Sequence, residues 1–305
     1  MASGKKAVYA AIVGNLAIAI TKFIAAGITG SSAMLAEGIH SLVDTGNGGL
    51  LLLGIKRSKR DPTPEHPFGF GKEVYYYTLI VAVLIFGVGG GISIYEGILH
   101  VLHPTEMGDP TISYIVLGIA VVFEGVVWWV AFKEFRAQAR GRGMWQEIKA
   151  SKDPTTFAVL FEDTAALLGL LFALVGIYLA HRLNMPVLDG VASICIGLLL
   201  CVVASLLIIE AKGLLLGESV DPEVRRSVEV LTRADPAVKD FVRMMSMHVG
   251  PEIVVLNLDL KFNDHLDVAE VEEAVARIDR ALREAHPEIR YVTIEAGSRR
   301  ISPEG

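Results

Sequence analysis

The sequence predicts a polytopic α-helical membrane protein, with six transmembrane helices followed by a C-terminal α+β domain of order α-β-β-α-β on the cytoplasmic side. Three observations carry this. Of 305 residues, 52% are hydrophobic and the mean hydropathy is +0.48, well above that of an average soluble domain. Apolar blocks recur along the first two thirds of the chain, and from about Leu214 the texture changes, with charged residues every few positions. The formal charge of −6 is modest and the basic residues cluster between apolar blocks, so no nucleic-acid surface is expected. The partners should be the lipid bilayer and small ions.

A hydrocarbon core takes roughly 20 helical residues to cross, and the blocks near 7–28, 31–55, 77–101, 111–133, 156–180 and 186–211 meet that length. The run after Lys5 and Lys6 continues too long for a cleavable signal peptide and reads as the first span. Connections alternate in charge. Those between Gly27 and Ser31, Leu102 and Thr111, and His181 and Pro186 hold Arg182 as their only Lys or Arg. The others carry Lys56, Arg57, Lys59, Arg60 and Lys72, then Lys133, Arg136, Arg140, Arg142, Lys149 and Lys152. The positive-inside rule therefore places both termini in the cytoplasm. Cys195 and Cys201, six residues apart in one apolar block, fit neither a disulfide framework nor a zinc ribbon.

The domain boundary falls between residues 213 and 214. Asp221 before Pro222 is an N-cap followed by an N1 proline, opening a helix to about Arg233. A strand follows near 238–248, and Gly250-Pro251 makes the turn. Leu256, Leu258, Leu260 and Phe262 then alternate with polar residues as in a half-buried strand. Val268, Val271, Val275, Ile278 and Leu282 repeat at helical spacing before a last strand near 289–296. A domain of about 85 residues has a marginal core, which favours association through it.

The second span carries Glu37, His40, Asp44 and Asn47 at spacings of three, four and three, which puts them on one helix face. A charge near mid-membrane costs at least about 2.5–3.5 kcal/mol, so this stripe must face protein, water or an ion. A single such residue would read as an interhelical hydrogen bond; four on one face outweigh that reading. Glu162 and Asp163 form an adjacent acidic pair in the fifth span. One imidazole and several carboxylates suit a divalent transition metal such as zinc, and the absence of Cys or Met among them disfavours copper(I).

These residues sit among further motifs: Asn15 and Lys22, the segment Gly30-Ser31-Ser32-Ala33-Met34-Leu35 leading to His40-x-x-x-Asp44, and His66-Pro67-Phe68-Gly69-Phe70-Gly71-Lys72. Tyr95-Glu96-Gly97-Ile98, His103-Pro104, Asp189, Ser193 to Gly197 and Leu216-Gly217-Glu218 complete the set. Together they resemble the cation diffusion facilitator family over nearly the whole chain. The resemblance implies a metal-ion/proton antiporter: residues 1–213 as a six-helix transport domain, and 214–305 as a metallochaperone-like cytoplasmic domain that dimerises or regulates. The family's usual fifth-span His-x-x-x-Asp falls here on Ala166 and Leu170. The segment Val159 to Ala166 instead resembles the branch that contains the mitochondrial zinc transporter 9.

The resemblance thus implies a metal site of His40, Asp44 and Asp163, with Glu162 as fourth ligand or proton carrier. It also implies a homodimer, zinc as transported substrate with no prosthetic group, and no enzymatic activity. The expected location is a bacterial plasma membrane. Three carboxylates and one His over-compensate a dication unless one carboxyl keeps a proton, which assigns that role to Glu162. His40 titrates near neutrality and is the expected coupling group. Lys22 is expected to snorkel or pair with a carboxylate, and Glu96 and Asp189 to make interhelical hydrogen bonds or caps. Glu124 is open to a relay role, and His248, His265 and His286 to a regulatory metal site. Manganese, iron(II) and cobalt are the alternative substrates; an intramembrane transferase and a non-transporting metal sensor are the alternative classes.

Overall fold

The computed structural model describes residues 2–104, 108–138 and 154–297, without the side chains of 2–13, 134, 137–138 and 154–156. Arg140, Arg142, Lys149 and Lys152 lie outside the described residues, as do the side chains of Lys5 and Lys6.

Six long helices occupy the six predicted blocks: α1 (Ala2–Thr29), α2 (Ser32–Ser58), α3 (Glu73–Leu102), α4 (Thr111–Gln138), α5 (Pro154–Leu183) and α6 (Val187–Leu216). Among the described residues α3 to α6 are long and apolar enough to cross a membrane, while in α1 the apolar run is Gly14–Thr29. The polar stripe keeps α2 out of that group, although it is 27 residues long. A soluble helix would show its charges on the outside; here Lys22, Glu37 and Asp189 are all fully buried while Ile20, Ile24 and Ile28 are exposed. That inversion is what lipid as solvent requires.

The turn from α1 to α2 is tight because Gly30 adopts φ +67°, a conformation that a side chain would resist. In α3, residues Ile85–Gly91 form a π-helical stretch. There and just beyond it α3 meets α6 through glycines. A Cβ on Gly97 would come within 2.7 Å of the Gly190 carbonyl oxygen, and one on Gly197 within 2.7 Å of the Gly90 carbonyl oxygen. Small residues thus let the two backbones touch, the arrangement favoured where lipid supplies no hydrophobic drive between helices. Ser193 Oγ adds a 2.9 Å hydrogen bond to the Ser93 carbonyl. Both cysteines of α6 are free thiols.

The second compact unit joins Arg57–Glu73 with the chain from Gly213 on. It holds α7 (Pro222–Arg233), β1 (Val238–Gly250), β2 (Ile253–Phe262), α8 (Val268–Ala285) and β3 (Ile289–Ala296), the α-β-β-α-β order that the sequence predicts. β1 and β2 form an antiparallel hairpin, and α8 carries the chain across so that β3 pairs parallel to β2. The alternation in β2 buries Val254, Leu256, Leu258 and Leu260 against Val228, Ile278 and Leu282. Asp267 and Glu270 close a reciprocal capping box at the start of α8. Asp221 stands at the cap position before Pro222 without a side-chain capping bond. Asp235 is held below the usual carboxylate range: burial pushes it up, but a two-pronged hydrogen bond from Arg277 at 3.0 and 3.2 Å and one from the Ala237 amide at 2.9 Å outweigh that. The segment 57–73 belongs to this unit through aromatic contact, with the Phe68 ring edge-on to Tyr291 at 5.1 Å between centroids.

Candidate metal centre

α2 presents Glu37, His40 and Asn47 buried on one face, with Asp44 beside them at 17% side-chain exposure. Neighbouring helices divide the stripe into three parts. At one end Lys22 of α1 reaches Glu37, Nζ to Oε2 at 2.9 Å, and donates to Ser41 Oγ at 2.7 Å. Lys22 is therefore paired rather than snorkelling. Gly169 of α5 makes room for the Glu37 carboxyl, since a Cβ there would collide with Oε1. At the other end Asn47 Nδ2 donates to Glu162 Oε1 at 3.2 Å.

Between these ends the polar groups are left over. His40 Nδ1 stands 3.3 Å from Asp44 Oδ1, yet neither ring nitrogen has a hydrogen-bond partner, and nor do Asp44 Oδ1, Asn47 Oδ1 or Asp163 Oδ2, all of them shut away from solvent. Native interiors seldom leave such groups unpaired, and a cluster of them points to an ion or water that they serve. Asp163 lies within electrostatic range of Glu124, Asp44 and His40. Glu162 lies within range of Asp44, His40 and Asp163. The side chains do not close into a shell: among the described residues no three His, Cys, Asp or Glu side chains are gathered tightly enough to hold a metal ion.

Of two further features, the sequence leaves the first open, as a relay or a neighbour of the site, and does not indicate the second. Glu124 of α4 is buried and within range of Lys22, Asp44, His40 and Glu37, so it borders this cluster. Trp128 Nε1 donates to Thr164 Oγ1 at 3.0 Å, which fixes α4 against α5 beside Asp163. The only sequence signal for that contact is a polar residue next to the acidic pair. Ala166 and Leu170, where the family pattern would put ligands, are buried apolar residues.

Asp189 caps α2 from α6: its Oδ1 accepts from Ser31 Oγ at 2.6 Å, and its Oδ2 from the amides of Ser32 at 2.5 Å and Ala33 at 3.3 Å. Glu96 makes no such bond among the described residues, because its side of α3 meets a cavity instead of a helix. In the soluble unit His286 is engaged with Ser227 Oγ at 2.8 Å and Glu288 at 3.5 Å, while His248 is buried and His265 exposed. No metal-holding group forms among them in the described residues.

The cation efflux transmembrane domain matches this chain over residues 8–216. The chain belongs to the cation efflux family. It is 38% identical over 244 residues to a mouse protein named proton-coupled zinc antiporter SLC30A9, mitochondrial, an overlap covering 79% of this chain and 43% of the mouse protein. The Xenopus laevis protein of the same name is 32% identical, over 90% of this chain and 56% of its own length. The chain thus spans about half the length of these relatives, and the expected branch of the family is borne out. A solved structure of the MamM C-terminal domain in a nickel form is 15% identical and covers 26% of this chain and 100% of its own, with a TM-score of 0.24. The expectation of a bacterial plasma membrane is not borne out, since the SLC30A9 relatives are named mitochondrial. Span lengths and charge asymmetry do not distinguish one membrane from another. What stands is an integral membrane protein.

Proposed function

We propose that this cation efflux protein is a transporter and not an enzyme: it exports a divalent metal cation, zinc first, from the cytoplasmic side in exchange for protons. The observation that carries the reading is the set of buried, unpartnered polar atoms on His40, Asp44 and Asp163, set between α2 and α5 in a chain of this family. These three residues are the proposed ligands. Glu162, tied to Asn47, is the fourth ligand or proton carrier. Ligands shed protons as they bind metal, so metal entry and proton release are linked at the site. Alternating access then follows if α2 and α5 move so that the site opens to each face in turn. The names of the SLC30A9 relatives supply zinc and the proton; manganese, iron(II) and cobalt remain the other substrates of matching ligand chemistry. Residues 1–213 are the proposed transport domain, and 214–305 a dimerising or regulatory domain whose small core gains from a partner.

The test is metal flux into proteoliposomes under an imposed pH gradient. His40→Ala and Asp44→Ala should each abolish zinc uptake while the protein still purifies as a folded species. Wild-type flux in either variant would remove the site; no flux of any of the four metals by the wild-type protein would remove the transport reading.

A further inference from the structure

On the side of the membrane domain away from the basic connections, α1, the start of α2 and the end of α3 border an open cavity of about 530 Å³. Glu96 and His100 of α3 and His103, the residue that caps its C-terminal end, line it. Glu96 and His100, four residues apart, share one helical face, and His103 follows just past the helix end. Glu96 lies six residues before the end of α3, about 9 Å below it. There a carboxylate is costly unless something compensates it, yet Glu96 has no hydrogen-bond or ion-pair partner among the described residues.

His100 is 8% exposed. Its Nε2 has no hydrogen bond and stands 3.8 Å from Asp189 Oδ2. That distance is too long for a hydrogen bond, and both Asp189 oxygens already accept from Ser31 and the Ser32 and Ala33 amides, so the buried ring nitrogen is left for an ion. His103 also lines the cavity, exposed and with no side-chain partner among the described residues. The chemistry of the set, one carboxylate and two imidazoles, is that of a borderline divalent cation.

We propose that this cavity is a second divalent-cation site, separate from the His40 centre, at which Glu96, His100 and His103 hold a partly hydrated ion on the side where it leaves. The three side chains do not form a closed shell, as with every such group among the described residues. Water completes the coordination, and the affinity is low. Low affinity is what a release station needs, since an ion held tightly there would stop turnover. The placement on the exit path rests on the transport reading above; the binding itself does not.

The experiment is calorimetric titration of the full chain in lipid nanodiscs with zinc chloride, in a His40→Ala, Asp44→Ala background. The expected result is a residual zinc-binding event that Glu96→Gln, His100→Gln and His103→Gln each weaken by at least about tenfold. Loss of transport in the background variant would leave this readout untouched, so the two readings fail separately. A residual event indifferent to all three substitutions, or no residual event at all, overturns the proposal. Gel filtration and zinc-free thermal unfolding of each variant identify misfolding. As a readout independent of any substitution, modification of His103 by diethylpyrocarbonate should be slowed by zinc in the same background, and no protection would also overturn it.

Discussion

Lys22 and Glu37 form an ion pair with both side chains at 0% exposure, and the consequences of breaking it can be worked out from the contacts. Lys22→Met removes the donor to Glu37 Oε2 and to Ser41 Oγ. Glu37 Oε1 already lacks a partner, so the carboxylate would be left with neither oxygen satisfied. Removing one member of a buried pair costs about 3–5 kcal/mol, most of it the stranded charge. The double change Lys22→Met, Glu37→Met removes both charges at similar volume. It should recover most of the loss, because replacing a whole buried pair by apolar groups is close to neutral. Unfolding of the purified protein by increasing SDS in mixed micelles, followed by circular dichroism, gives the three stabilities. A Lys22→Met loss under about 1 kcal/mol, or a double variant no more stable than the single one, would refute this account of the pair.

Two further outcomes are expected. Asp163→Asn should eliminate zinc binding at the His40 centre, whereas Glu162→Gln should retain weaker binding and flatten the pH dependence of flux; isothermal titration at several pH values reads both, and the reverse pattern would exchange the two roles. In the soluble unit the Asp235 carboxyl is held down in the folded state, so its contribution is present above the unfolded value of about 3.9 and fades as pH falls through the folded one. Arg277→Gln should therefore destabilise the unit slightly near neutral pH and have no effect once Asp235 is protonated. Hydrogen exchange of the α7–β1 connection as a function of pH checks this, and an Arg277→Gln effect that persists at low pH would contradict it.

The helices and the soluble domain were legible because each rests on a local rule. Block lengths placed the spans, and the alternation of Leu256, Leu258 and Leu260 with polar residues placed β2. The stripe on α2 was legible as a face, since periodicity fixes which residues share one. Its division was not. That Glu37 goes to Lys22, Asn47 to Glu162, and His40 and Asp44 to no group on a neighbouring helix depends on which helices lie alongside, and periodicity within α2 carries no such information. The same holds for Glu96 and Asp189. Both sit near span ends, yet one caps a neighbouring helix while the other faces a cavity, and the difference lies in what stands opposite: the start of α2 for Asp189, the cavity beside α1 for Glu96.

The α2 helix shows how a membrane protein holds polar groups without binding them all into its own structure. A helix whose polar residues were all paired by neighbours would be a structural seam, and one with none paired would be hard to insert. Here the ends of the stripe are fixed by Lys22 and Glu162, about 15 Å apart along the axis from Glu37 to Asn47 at 1.5 Å per residue. The anchors therefore position the two groups between them without supplying their hydrogen bonds. His40 and Asp44 are held in place without hydrogen-bond partners for both ring nitrogens and Asp44 Oδ1, so under the proposed function an ion would gain their interaction while little side-chain freedom is lost. Pre-organisation of this kind favours binding. On the proposed reading, release would come from competition at the same atoms, with a proton on His40 or on a carboxylate as the competitor.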